Sequence, residues 1–138
     1  MSNTIIQQKL REIEDSLSLI KENLPSEVDE FKAMGLPKDG IYKRLEFSIQ
    51  NLVDIFSLIY SSLKLGTPSS LDDIFKGLLN KKIFSVKVIS LVQEMKGLRN
   101  ILIHRYGKID DEIIYELLTE RLGDFELIIG AIEKHLKK

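Results

Sequence analysis

Apolar residues recur along this chain at steps of three and four, not two. Ile6, Leu10, Ile13, Leu17, Ile20 and Leu24 fall on one side of a helix. Thr4 with Gln7 forms a capping box at its start, and Pro25 discourages continuation past Leu24. Ser26 can cap a short helix from Glu27 to Met34, after which Gly35, Pro37 and Gly40 predict a turn. The helical spacing resumes at Ile41, Leu45, Ile49, Leu52, Phe56, Ile59 and Leu63 and closes at Leu65-Gly66-Thr67-Pro68. Ser70 with Asp73 starts a short helix over Leu71 to Leu79. Ser85 caps the next, which carries Val88, Ile89, Val92, Met95 and Leu102. Asp110 caps one last predicted helix through Ile114, Leu118, Leu122, Phe125, Ile129, Ile132 and Leu136, with acidic residues early and lysines late. No alternating strand pattern competes and no segment repeats at a fixed period, so the pattern predicts an all-α, antiparallel helical bundle.

Composition adds exclusions to that picture. At 138 residues the chain fits one domain, residues 1–138, large enough to bury about 68 to 70% of its unfolded surface. Its 43% hydrophobic and 30% charged residues are globular proportions and argue against disorder. With no cysteine, there is no disulfide framework, thiolate metal site or catalytic thiol. The first residues, Met1 to Gln8, lack a basic start and a long apolar run, and no stretch approaches the roughly 18 apolar residues of a membrane span, so the expectation is a cytoplasmic protein with no membrane association. A net charge of −1 excludes a globally basic nucleic-acid binder but leaves room for a local cationic patch.

Such a patch lies where the fifth predicted helix ends. From Lys96 to Lys108 there are four cationic residues and no acidic one, within the string Gly97-Leu98-Arg99-Asn100-Ile101-Leu102-Ile103-His104-Arg105-Tyr106-Gly107-Lys108-Ile109-Asp110. Histidine takes or gives a proton near neutrality, and arginine brings a permanent cation whose forked donors match a phosphate. Together they suit RNA cleavage: His104 deprotonates the ribose 2′-hydroxyl or protonates the leaving oxygen, and Arg99 stabilises the added negative charge, with no metal or cofactor. Five positions at about 100° each set Arg99 and His104 roughly 140° apart around the helix, so Arg99 must reach around or meet the His104 of a second copy. Asn100 lies four residues before His104, on the same face, where its amide can orient the imidazole. A homodimer gathering two copies of the segment around one cleft follows as an expectation. Gly97, costing about 1 kcal/mol against alanine, marks either a tight helix crossing within the chain or the approach of a second subunit.

Arg99-Asn100-x-x-x-His104-x-Tyr106, preceded by Gly97-Leu98 and followed by Ile109-Asp110, resembles the signature of HepT-like HEPN toxins. The likeness takes in the helix containing Arg44 to Ile55 and the short one from Ser70 to Leu79. It implies a dimeric HEPN helical bundle that cuts single-stranded RNA with Arg99 and His104, supported by Asn100. It also implies a minimal nucleotidyltransferase antitoxin as partner, which transfers AMP from ATP to Tyr106 and so blocks RNA. The alternative is a non-catalytic nucleotide- or RNA-binding helical module that docks such a partner.

Overall fold

The computed structural model describes residues 2–138. Met1, the first residue of the Met1 to Gln8 stretch, lies outside them. Seven α-helices follow one another: α1 (Ser2–Asn23), α2 (Val28–Lys32), α3 (Leu36–Ser62), α4 (Leu71–Asn80), α5 (Val86–His104), α6 (Asp111–Glu120) and α7 (Gly123–Leu136). A single 3-10 turn, Tyr106–Lys108, joins α5 to α6. Among the described residues there is no strand, and no helix is long and apolar enough to cross a membrane.

The long helices run antiparallel around α3. Lys9, near the start of α1, meets Asp54 near the end of α3, whereas Asn23 lies beside Pro37 and Gly40. Arg99 of α5 meets Gln50, and Ile103 faces Asp39 and Tyr42 further back along α3. α7 returns along α5, with Phe125 beside Met95 and His135 beside Phe84. The apolar stripes read from the sequence supply the core: Ile6, Leu10, Ile13, Leu17 and Ile20 of α1 are buried, as are Leu45, Ile49, Leu52, Phe56 and Ile59 of α3 and Val88, Ile89, Val92, Met95 and Leu102 of α5. Side chains of this kind each contribute about 1.5 to 3 kcal/mol when removed from water, so three such stripes meeting along α3 account for the bundle.

The starts of α4, α5 and α6, each governed by a local side chain, lie where expected. Ser70 Oγ accepts the Asp73 amide at 3.2 Å, Ser85 Oγ accepts that of Val88 at 3.2 Å, and Asp110 caps α6 through Glu112 and Ile113. Other boundaries differ. α1 runs from Ser2, so Thr4 lies inside it and not at its cap. α2 begins at Val28, with Glu27 and not Ser26 at its cap position. α3 begins at Leu36 and absorbs Pro37 and Gly40, predicted as a turn; a proline in the first turn gives up an amide that has no helical partner there anyway. The expected last helix is two, parted at Arg121 and Leu122. Arg121 is drawn to Glu94 on α5 at 3.0 Å and to Asp124 at 2.9 Å, and Gly123 adds a weak helix former at the break.

The crossing of α3 and α4 depends on Gly77. A β-carbon there would stand 2.6 Å from Cε2 of Tyr60, whose buried ring is fixed by donation from its hydroxyl to the Leu65 carbonyl at 3.2 Å. Gly77→Ala should therefore destabilise the fold by about 1 to 3 kcal/mol, read as a lower midpoint of urea unfolding. An unchanged midpoint would mean the crossing is not tight.

Candidate functional site at the end of the fifth helix

Burial of Leu102 and Met95 fixes the rotation of α5 and so decides where its polar residues point. Arg99, half-buried, turns toward α3. One terminal nitrogen, Nη1, donates to Gln50 Oε1, and Nη2 donates to Asn100 Oδ1 at 3.4 Å. Gln50 in turn donates to Asp54 at 2.8 Å, and Asp54 accepts from Lys9 at 3.4 Å. The guanidinium is thus held by two neutral amides, while the nearest carboxylate in this chain of contacts is shared with a lysine. Its positive charge is fixed in place without being cancelled, which suits an anionic ligand. Nε of Arg99 is buried with no partner.

His104 is the last residue of α5 and is exposed. Among the described residues it has no hydrogen bond to Arg99 or Asn100. The expected pairing of Asn100 with the imidazole is not the one observed, because the Asn100 carbonyl oxygen faces the arginine beside it. Gly97, Ile101 and His104 follow one another at steps of four and three, so they share one exposed face of α5. Open space surrounds Gly97, which removes an intrachain helix crossing as the reason for that glycine. Arg105 and Lys108 are exposed beyond the helix end, whereas Lys96 pairs with Asp72 at 3.6 Å.

Tyr106 opens the 3-10 turn and is 44% exposed. Its hydroxyl donates to Asp39 in the first turn of α3, and its ring stands edge-on to Tyr42 at 5.9 Å. Burial, then the Asp39 hydrogen bond, pushes the hydroxyl pKa up to about 12. Below it Tyr42 donates to Asp111, which also accepts from Lys38 at 2.7 Å, so the start of α6 is tied to the start of α3. Burial works against the Asp111 carboxylate, but donation from Lys38 and Tyr42 outweighs it and lowers its pKa. The turn is thereby anchored on both sides. Gln50 and Asp39 were not marked by sequence, where nothing distinguishes an exposed-looking glutamine or a first-turn aspartate from ordinary helix surface.

An all-α bundle with an Arg-Asn-x-x-x-His segment ending its fifth helix has the fold and site arrangement of a HEPN protein. The model of the family described as Ribonuclease HepT-like matches residues 13–132, and the chain belongs to that family. It is 27% identical over 131 residues to the mRNA nuclease HepT of Shewanella oneidensis, covering 95% of this chain and 98% of that protein. A tri-AMPylated Shewanella oneidensis HEPN toxin, solved in complex with an MNT antitoxin, superposes with a TM-score of 0.83 at 26% identity, over 94% of this chain and 97% of that one. A crystal structure of a toxin-antitoxin with AMP-PNP gives 0.84 at 25% identity, over 95% and 98%.

Proposed function

We propose that this protein is a cytoplasmic endoribonuclease toxin of a HEPN/nucleotidyltransferase pair, cutting single-stranded RNA with Arg99 and His104 as its catalytic residues. The observation that carries the reading is the uncancelled guanidinium of Arg99, held between Gln50 and Asn100 on the helix that presents His104 to solvent. In the reaction the ribose 2′-oxygen attacks the adjacent phosphorus and the bond to the 5′-oxygen breaks, leaving a 2′,3′-cyclic phosphate and a 5′-hydroxyl. His104 moves the proton; Arg99 stabilises the pentacoordinate phosphorus, with Asn100 holding its fork in place.

The active unit is a homodimer in this reading. Gly97 and Ile101 give the His104 face of α5 a small and an apolar residue, the combination that lets a second helix approach closely. Tyr106 is the acceptor for AMP from a nucleotidyltransferase antitoxin. Of the four tyrosines, Tyr42 and Tyr60 are buried and Tyr115 donates to the Pro25 carbonyl at 2.6 Å, which leaves Tyr106 the exposed one. A nucleotide there adds negative charge beside the cleft and repels RNA.

Purified protein incubated with single-stranded RNA in EDTA should yield fragments with 2′,3′-cyclic phosphate and 5′-hydroxyl ends. Fragments bearing 5′-phosphates, or intact RNA at enzyme excess, would reject the assignment.

A further inference from the structure

The Tyr106 hydroxyl is already engaged in the free protein, and its partner is a carboxylate. Asp39 Oδ1 accepts from it at the rim of a groove of about 560 Å³, which Tyr42, Lys43, Glu46, Leu102 and Ile103 also line. Tyr42 also donates to a carboxylate, but it is 3% exposed and sits beneath Tyr106, where no second substrate can approach in line. Among the described residues, only at Tyr106 does an exposed phenol meet a carboxylate beside open space.

We propose that Asp39 is the group that accepts the Tyr106 proton when that hydroxyl takes up a nucleotidyl group; this rests on the reading of Tyr106 as the acceptor. The phenol oxygen attacks the α-phosphorus of a nucleoside triphosphate, forming the new P–O bond. The bond from that phosphorus to the α,β-bridging oxygen breaks, pyrophosphate leaves, and the phenolic proton passes to Asp39 Oδ1. The toxin then supplies part of its own inactivation chemistry.

Burial and the hydrogen bond to Asp39 raise the pKa of the Tyr106 phenol, which disfavours attack by a preformed tyrosinate near pH 7. Bond formation to phosphorus withdraws electrons from the oxygen and makes its proton far more acidic. A carboxylate already on that proton can then take it in concert, the arrangement that gives general bases about 10² to 10⁴ in rate. Around Tyr106 stand Asp39, Tyr42, Lys43 and Glu46 from α3 and Asp111 from α6. Lys43 is engaged by Glu46 at 2.8 Å and Asp111 by Lys38 at 2.7 Å. Among the described residues no cation pairs with Asp39, which keeps its charge for the hydroxyl.

The test uses the full chain, an MNT-type nucleotidyltransferase, ATP and magnesium ion, with mass spectrometry following AMP incorporation from about pH 6 to about pH 9. Asp39→Asn preserves an acceptor oxygen and the shape of the site but removes the base. It should lower the maximal rate of Tyr106 modification about 100-fold at pH 7 with little change in the concentration of toxin needed for half-saturation, and its rate should climb with pH while that of the native protein stays nearly level. Asp39→Glu should recover part of the rate, and Asp39→Asn should cleave RNA as the native protein does. A native maximal rate and pH profile in Asp39→Asn, or a loss confined to half-saturation, would overturn the role of Asp39. Failure of the underlying reading looks different: the native chain gains no AMP, or Tyr106→Phe gains as much as the native chain.

Discussion

His104→Ala should lower RNA cleavage about a thousandfold while leaving the fold intact. The imidazole is exposed at the last position of α5, where truncation leaves no cavity and surface substitutions shift stability by about 0.5 kcal/mol or less. The rate loss follows from chemistry alone: without a group that moves a proton near neutrality, the 2′-hydroxyl must be deprotonated by water. What residual cleavage remains should come from Arg99, which in the proposed mechanism still neutralises charge at phosphorus. Comparing initial rates on a single-stranded RNA in EDTA, alongside the thermal midpoints of both proteins, checks both halves. If the midpoints coincide and the rates do too, His104 has no part in the reaction.

The difference between what is legible in the sequence and what is not follows the reach of the interactions. Ser70, Ser85 and Asp110 mark helix starts correctly because each cap acts on amides two or three residues away. The starts of α2 and α3 and the division of α6 from α7 escape the same reading. Lys38 and Tyr42 tie the beginning of α3 to Asp111 on α6, and Arg121 answers to Glu94 on α5. Those partners are brought together only by the fold. The site divides in the same manner. Arg99, Asn100, His104 and Tyr106 stand together in one string, but the groups that hold them lie far away: Gln50 is 49 residues from Arg99, and Asp39 is 67 from Tyr106.

The placement of Asn100 shows how a correct periodicity can still give a wrong contact. Four residues separate it from His104, enough to share a face, yet sharing a face does not choose a partner. Arg99 is adjacent, charged and partly withdrawn from water, so an amide oxygen gains more by accepting from it than by meeting an exposed imidazole. Asn100 therefore acts on the cation, with Gln50 gripping the other arm of the guanidinium. In the proposed reaction this arrangement would offer a phosphate a guanidinium held at both ends, beside an exposed imidazole.

Arg99→Ala should reduce cleavage about 10² to 10³-fold, the usual cost of removing a preorganised donor to developing negative charge, and Arg99→Lys should recover little of it. A lysine keeps the charge but cannot give parallel donors to both Gln50 and Asn100, so its ammonium is not held where the guanidinium is. A mixing experiment goes further. Five residues of helix separate Arg99 from His104 by about 7.5 Å of rise and roughly 140° of rotation, and Arg99 is turned inward against α3 while His104 faces out. In the proposed dimer, one phosphate would therefore be better served by Arg99 of one protomer and His104 of another. Arg99→Ala and His104→Ala, each nearly inactive alone, should regain roughly a quarter of native activity when unfolded together and refolded at equal amounts. Half of the dimers are then mixed, and each mixed dimer holds one intact pairing out of two. Activity no higher than the parents, with mixed dimers demonstrated by mass spectrometry, would place both residues of each working pair on a single chain.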